Sequence, residues 1–261
     1  MLQFSANLNF LFQETDFFNR FQEASQAGFK AVEFMFPYSF APAELKKALE
    51  DNSLRLVLFN LPAGDWAKGE RGIANDPARQ DEFQEGVRTA IKYAHFLDVK
   101  QVNCLCGKKV AGIEETLQRE TLLANLRFAA AELQNAGIKL LLEFVNNYDI
   151  PAFYPNTTAN TLALLNEVAH PNLYLQYDIY HAQRSEGELI ATINKNSARI
   201  AHIQIADNPG RHEPGTGEIN CPAVFKAIEV IGYNGYIGLE YNPTTSTLAS
   251  LGWVKEFGLN L

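Results

Sequence analysis

Read along the chain, apolar residues gather into short runs, with longer stretches of helical spacing between them. The runs are Phe4–Leu11, Ala31–Phe36, Leu54–Leu61, Gln101–Gly107, Lys139–Val145, Leu173–Tyr180, Ile200–Asp207 and Tyr236–Asn242. Several are nearly continuous in Val, Ile, Leu and Phe, the signature of strands covered on both faces. Between them, Thr15–Ala27 carries Phe17, Phe18, Phe21 and Ala24 on one stripe. Pro42–Asn52 opens with a proline suited to a first helical turn. Asp81–Leu97 and Glu114–Ala136 are the clearest helices, the latter stopped by Gly137. Thr157–Ala169, Glu186–Ala198, Pro222–Ile231 and Ser246–Phe257 fill the remaining gaps.

Strand-like and helix-like runs in strict alternation predict parallel βα units, and eight such units close into a (β/α)8 barrel. The rival is a doubly wound open sheet. Its first strand usually runs into a Gly-rich turn, whereas here Leu11-Phe-Gln-Glu14 follows. No linker or low-complexity block divides the chain. The expectation is an α/β fold, a single (β/α)8-barrel catalytic domain over 1–261.

Composition narrows the function. The chain has 261 residues, 47% hydrophobic, with a formal net charge of -8. That charge disfavours a nucleic-acid partner, which needs clustered Lys and Arg. No stretch approaches the ~20 apolar residues of a membrane span, and no signal-peptide pattern opens the chain, so the expected location is cytoplasmic with no membrane partner. The three cysteines, Cys104, Cys106 and Cys221, are too few and odd in number for a disulfide framework. Cys104 and Cys106 share a face of one strand and read as packing. Oligomeric state is not legible, and a homo-oligomer is compatible with the pattern.

In barrels of this kind the active site lies at the C-terminal ends of the strands. A charge inside an apolar strand is costly unless it is paired or binds metal. Four runs in the second half carry such residues. Glu143 follows three leucines, and Asp178 ends a run with His181 three residues on. His202 and Gln204 alternate on one face, and Glu240 ends an apolar approach. Each also has a simpler reading. A single strand-end acid can cap the following helix or pair with a neighbouring Arg, Gln204 can be a satisfied buried amide, and His202 can be an interior histidine. Together, three carboxylates and an amide at one end of neighbouring strands make an all-oxygen shell suited to one hard divalent cation, Mg²⁺ or Mn²⁺.

At these residues the chain resembles the hydroxypyruvate isomerase family of the xylose-isomerase-like barrels. The strings that carry the resemblance are Phe4-Ser-Ala-Asn-Leu8, Val32-Glu-Phe-Met-Phe-Pro-Tyr38, Asn60–Gly72, Gln176-Tyr-Asp-Ile-Tyr-His181, His202–Gly210, Glu213–Asn220 and Gly238-Leu-Glu-Tyr241. The resemblance implies that Glu143, Asp178, Gln204 and Glu240 hold the metal. It also implies that Glu143 and Glu240 form the proton donor/acceptor pair. Similarity to related sugar epimerases implies that His181 and Arg211 touch the substrate, a small hydroxy-carbonyl acid. Those epimerases carry a Glu where this chain has Asp149. Arg211 and Arg71 are the two candidates to grip the substrate carboxylate. Glu70 beside Arg71, and His202 beside Gln204, complete the candidate substrate-binding set. Trp66 belongs either to a lid over the site or to surface packing.

The implied reaction interconverts hydroxypyruvate and tartronate semialdehyde by proton transfer through an enediolate. The alternatives on the same site are a 2-oxo-tetronate isomerase and a ketose 3-epimerase. An abasic-site endonuclease of the same superfamily would need more histidines than five and a basic groove. A non-catalytic binding protein is the remaining reading.

Overall fold

A computed structural model describes residues 2–261. Eight parallel strands, β1 Gln3–Asn7, β2 Ala31–Glu33, β3 Arg55–Asn60, β4 Gln101–Cys104, β5 Lys139–Glu143, β6 Leu173–Asp178, β7 Ile200–Ile205 and β8 Tyr236–Leu239, form a closed barrel in chain order. Every expected strand is present, but each is shorter than its apolar run. The run from Phe4 to Leu11 leaves the sheet at Asn7, where Phe10 and Leu11 turn back to bond the Asn7 carbonyl. Leu8 and Leu11 stay buried in that turn. Apolarity marked burial there, not pairing.

Contacts group the described residues into two compact units. One holds the chain up to Met35, with Phe40–Val57 and Tyr177–Leu261. The other holds Phe36–Ser39 and Leu58–Gln176.

In the first unit, β1 pairs with β2 and β8, and β7 pairs with β8. The register sets Asn7 beside Glu33, Ser5 beside Gly238, and Gly238 beside Gln204. Alternation sorts the two faces of β1. Phe4 packs edge-on to Phe225 of α8 (Cys221–Val230) and Trp253 of α10 (Gly252–Glu256). Ser5 and Asn7 therefore point to the other face, the barrel interior. Helix α1 (Asn19–Gln26) buries Phe21 and Ala24 of the expected stripe. It starts four residues later than the pattern suggested, because the chain from Thr15 to Phe18 is taken up by turns. Helix α2 covers Pro42–Asp51.

Two helical expectations need correction. The helix expected over Glu186–Ala198 is α7 (Leu189–Asn196), which starts three residues later than the pattern suggested because Gly187 and Glu188 take φ of 68° and 51°. A separate helix that the pattern did not predict, α6 (Ile179–Ser185), precedes it. The strand predicted to reach Tyr180 stops at Asp178, whose carboxylate accepts the Tyr180 and His181 amides and so starts α6. Ser246–Phe257 likewise divides into α9 (Thr247–Ser250) and α10.

In the second unit, β4 pairs with β5, and β5 with β6, which sets Glu143 beside Gln176. Helices α3 (Gln80–Leu97), α4 (Glu115–Asn135) and α5 (Thr158–Val168) match their expected ranges to within a residue or so at each end. Thr157 caps α5 through its hydroxyl, and Gly137 leaves α4 at φ 70°. Gly72 takes φ 120° with its Cα against the Leu105 carbonyl, leaving no room for a Cβ.

All three cysteines are free and buried. Burial pushes the Cys106 thiol well up and the Cys221 thiol up to about 12. Thiolate, the reactive form, is therefore scarce at neutral pH. In the native protein at pH 8, a thiol reagent such as dithionitrobenzoate should find almost no reactive cysteine, and all three after unfolding in guanidinium. A full equivalent reacting within minutes in the native state would contradict this account.

Candidate active site

The acids singled out in the sequence stand at or just past the C-terminal ends of their strands. Each is held by named donors.

Asp178, at the end of β6, is 1% exposed and divides its work between two oxygens. Oδ1 caps α6 at 2.8 Å from the Tyr180 amide and 3.3 Å from that of His181. Oδ2 lies 3.6 Å from His181 Nε2 and 3.3 Å from Arg211 Nη2. The capping reading and the functional reading of this residue thus coexist, one on each oxygen. Because the cap starts the helix, it also fixes His181 in the first turn, on the same side as Oδ2.

Glu240 follows β8. Its Oε2 accepts from Asn7 Nδ2 at 3.0 Å and from the Gln204 amide nitrogen, and its Oε1 is paired with Arg211 Nη2. Arg211 thus bridges two carboxylates. Its guanidinium also lies over the rings of Phe10 and Tyr180, 4.8 and 5.0 Å from their centroids.

The loop that carries Arg211 is braced from beneath. Asp207, completely buried, accepts the backbone amides of Asn208, Gly215 and Ile219 at 2.8, 2.9 and 3.0 Å. Glu213, also buried, takes the Thr244 amide and hydroxyl, and so ties this loop to the one after β8. Arg211 itself sits at φ 55°, and its carbonyl accepts the Asn242 amide.

Under Glu240 and Gln204 lies a residue that the sequence pattern did not single out. Glu33 is 1% exposed and its carboxylate receives four side-chain donors: Ser5 at 2.8 Å, Asn7 at 3.2 Å, His202 at 3.0 Å and Gln204 at 2.8 Å. Burial alone would raise its pKa. The adjoining His202 and the bonds from His202, Gln204 and Ser5 outweigh that and hold it below the ordinary glutamate value. Gly238 makes the space, since a Cβ there would overlap the Glu33 carboxylate. His202 is fully enclosed with Nε2 on Glu33, which is the interior-histidine alternative. A signal for Glu33 does exist in the sequence: a lone acid within the apolar run Ala31-Val-Glu-Phe. It lies in the first half of the chain, outside the four runs singled out by pattern.

In the second unit, Glu143 is 6% exposed and accepts from Asn103 Nδ2 at 2.8 Å. Asn103 also donates to Asn60 at 3.2 Å, and its own buried Oδ1 has no hydrogen-bond partner. The other candidates here lie in loops. Asp149 is exposed and bonded to Asn146. Arg71 stacks 3.8 Å over the Trp66 ring and donates to the Trp66 and Glu70 carbonyls. Trp66 in turn packs on Phe36, beside an apolar cluster that includes Ala63, Leu105, Val145 and Phe153. Glu70 is the brace of this loop, paired with Arg79 at 2.7 Å and accepting the Asp65 amide.

Within the first unit Asp178 and His181, both buried and 3.6 Å apart, present a carboxylate and an imidazole, donors of the kind a divalent cation takes.

The closed parallel barrel, with acids at the ends of its strands, defines a class. The chain belongs to the xylose isomerase-like TIM barrel family, whose model matches residues 21–257. Among its relatives, hydroxypyruvate isomerase of Escherichia coli is 52% identical over 98% of this chain and 100% of its own length. A 2-oxo-tetronate isomerase of Cupriavidus necator is 40% identical over 98% of this chain and 99% of its own. A crystal structure described as an AP endonuclease, family 2, from Brucella melitensis superposes with a TM-score of 0.95 at 39% identity, covering 98% and 99% of the two chains.

Replacing Asp207 by Ala removes the acceptor of three backbone amides, of which that of Ile219 is buried, and a buried donor left unsatisfied costs about 1–3 kcal/mol. Urea denaturation of Asp207→Ala should show a loss of about 1–3 kcal/mol. An unchanged midpoint and slope would mean that Asp207 does not brace the Arg211 loop.

Proposed function

We propose that the chain is a hydroxypyruvate isomerase, interconverting hydroxypyruvate and tartronate semialdehyde, and that residues 1–261 act as one catalytic domain. The observation that carries the reading is the 52% identity to a hydroxypyruvate isomerase over nearly the whole length of both chains, beside buried acids at the ends of the strands, Glu143 in one unit and Asp178 in the other. The substrate is a small molecule. With a net charge of -8, the chain lacks the basic balance a DNA substrate favours. No helix among the described residues is long and apolar enough to cross a membrane.

In this reading Glu143, Asp178, Gln204 and Glu240 hold one Mg²⁺ or Mn²⁺. The donor set fits such an ion: three carboxylates and an amide are hard oxygen ligands. When bound, the ion supplies Lewis-acid stabilisation of negative charge that develops on the substrate's adjacent oxygens.

The protein's own groups do the rest. Glu143 and Glu240 are the proton-transfer pair. One removes a proton from the hydroxymethyl carbon and the electron pair moves to form the enediolate; the hydroxymethyl O–H proton passes to the former ketone oxygen, and a proton returned to the neighbouring carbon leaves the aldehyde and the new hydroxyl. Asn103 on Glu143 and Asn7 on Glu240 orient these carboxylates, so that neither must be ordered at the moment of reaction. Arg211 supplies positive charge for the substrate carboxylate, and His181 a hydrogen bond to a substrate oxygen. Arg71 is the second candidate cation, with Trp66, Glu70 and Asp149 at the loops of the same strand ends.

A second reading, 2-oxo-tetronate isomerase, rests on the 40% identity to the Cupriavidus necator enzyme and uses the same residues on a substrate one carbon longer.

Proton NMR in D₂O with hydroxypyruvate, with and without Mg²⁺ or Mn²⁺, tests the proposal. Wild type should form tartronate semialdehyde in a metal-dependent way. Glu143→Gln and Glu240→Gln should each lose about 10²–10⁴-fold in kcat. Conversion of a four-carbon 2-oxo acid with hydroxypyruvate left untouched would overturn the substrate. Either variant retaining wild-type turnover would overturn the two-carboxylate mechanism.

A further inference from the structure

Glu33 does not belong to the proton-transfer pair and is among the most completely enclosed acids of the first unit. A carboxylate in that setting costs several kcal/mol unless its lone pairs are met by donors in good geometry. Here they are met from both sides: Ser5 and His202 on Oε2, Asn7 and Gln204 on Oε1. Two of these donors lead directly to the site. Asn7 Nδ2 bonds Glu33 at 3.2 Å and Glu240 at 3.0 Å with the same nitrogen. The Gln204 amide nitrogen also lies against both Glu33 and Glu240.

A carboxylate can only accept, so an ionised Glu33 tells the two ends of the Gln204 amide apart. It draws the NH₂ towards itself and assigns the opposite, carbonyl end to the other side. A neutral amide in place of Glu33 would offer both a donor and an acceptor, and that discrimination would vanish. The space is dedicated as well: Gly238 on β8, two residues before Glu240, leaves open the volume the carboxylate fills, and a Cβ at Gly238 would overlap it.

We infer that Glu33 is a positioning residue, which fixes the Gln204 amide with its carbonyl oxygen towards the metal position and, through Asn7, fixes the Glu240 carboxylate for proton transfer. The inference rests on the proposed metal site, and it goes beyond it in assigning to a residue that touches neither metal nor substrate the orientation of two that do.

The test compares wild type, Glu33→Gln, Glu33→Asp and Gly238→Ala by two readouts. The first is Mn²⁺ affinity of the metal-free protein, measured by electron paramagnetic resonance of the free ion. The second is kcat and KM for hydroxypyruvate at saturating Mn²⁺. Circular dichroism and thermal melting establish that each variant is folded. Removal of a supporting partner of a metal ligand typically weakens metal binding or activity about 10–100-fold, so Glu33→Gln should weaken Mn²⁺ binding by at least about tenfold and lower kcat by a similar factor. KM should move by less than about threefold, since Glu33 does not meet the substrate. Gly238→Ala, which displaces the carboxylate without removing its charge, should give the same signature. Glu33→Asp, which keeps an acceptor only, should recover part of the Mn²⁺ affinity.

A folded Glu33→Gln with Mn²⁺ affinity and kcat both within about twofold of wild type overturns the inference. If Glu33→Gln does not fold, Gly238→Ala and Glu33→Asp decide by the same readouts. The Mn²⁺ measurement needs no substrate. A wild type that binds Mn²⁺ but leaves hydroxypyruvate unchanged sinks the proposed activity, and the affinity difference still decides on Glu33.

Discussion

The Glu33 carboxylate is cut off from water and must be satisfied from within. Four side chains on two strands, Ser5 and Asn7 on β1 and His202 and Gln204 on β7, answer that demand, and Gly238 on β8 leaves the space. Leaving one of those donors out would strand part of a buried charge, at a cost larger than that of any single surface interaction. The interior of this half of the barrel is therefore a polar network with little freedom to rearrange, in which every member constrains its neighbours.

The acids of the site inherit that constraint. Glu240 is held by Asn7, Gln204 and Arg211, and two of those three also answer to Glu33. Asp178 uses one oxygen to start a helix and offers the other to His181 and Arg211, so a cap and a site are made with a single residue. Arg211 is positioned less by its own loop backbone than by the residues beneath it. Asp207 collects three amides of that loop, and Glu213 anchors it to Thr244. In the second unit Asn103 plays towards Glu143 the part that Asn7 plays towards Glu240. Carboxylates oriented in advance by buried amides suit proton transfer, because the cost of ordering them falls on folding and not on each turnover.

Helix and strand lengths show where hydropathy stops being informative. The apolar run continuing to Leu11 is buried as expected, yet its last residues curl into a turn. Periodicity reports which residues avoid water, and a tightly packed turn avoids water as well as a strand does. The stretch after β6 reads as strand to Tyr180 and helix from Glu186. The Asp178 cap moves the boundary, and two left-handed residues, Gly187 and Glu188, divide the segment into α6 and α7. Such boundaries depend on individual hydrogen bonds that a hydropathy pattern does not contain.

By itself the sequence determined the alternation of strands and helices, hence the parallel barrel, since eight buried apolar runs joined by amphipathic helices have few other ways to cover both faces. It also marked Glu143, Asp178, Gln204 and Glu240, because a lone acid or amide in an apolar strand carries an energetic cost that a soluble core does not tolerate without a reason. Only the tertiary structure decided which side chains meet them. That His202 faces Glu33, that Asn7 reaches from β1 to Glu240, and that Asp207 rather than its neighbours braces the Arg211 loop are consequences of strand register and closure. These bring together residues up to 233 positions apart in the chain. Local sequence encodes which side chains must be buried and paired. The identity of each partner is set by the register in which distant strands come to lie side by side, and no local pattern holds that information.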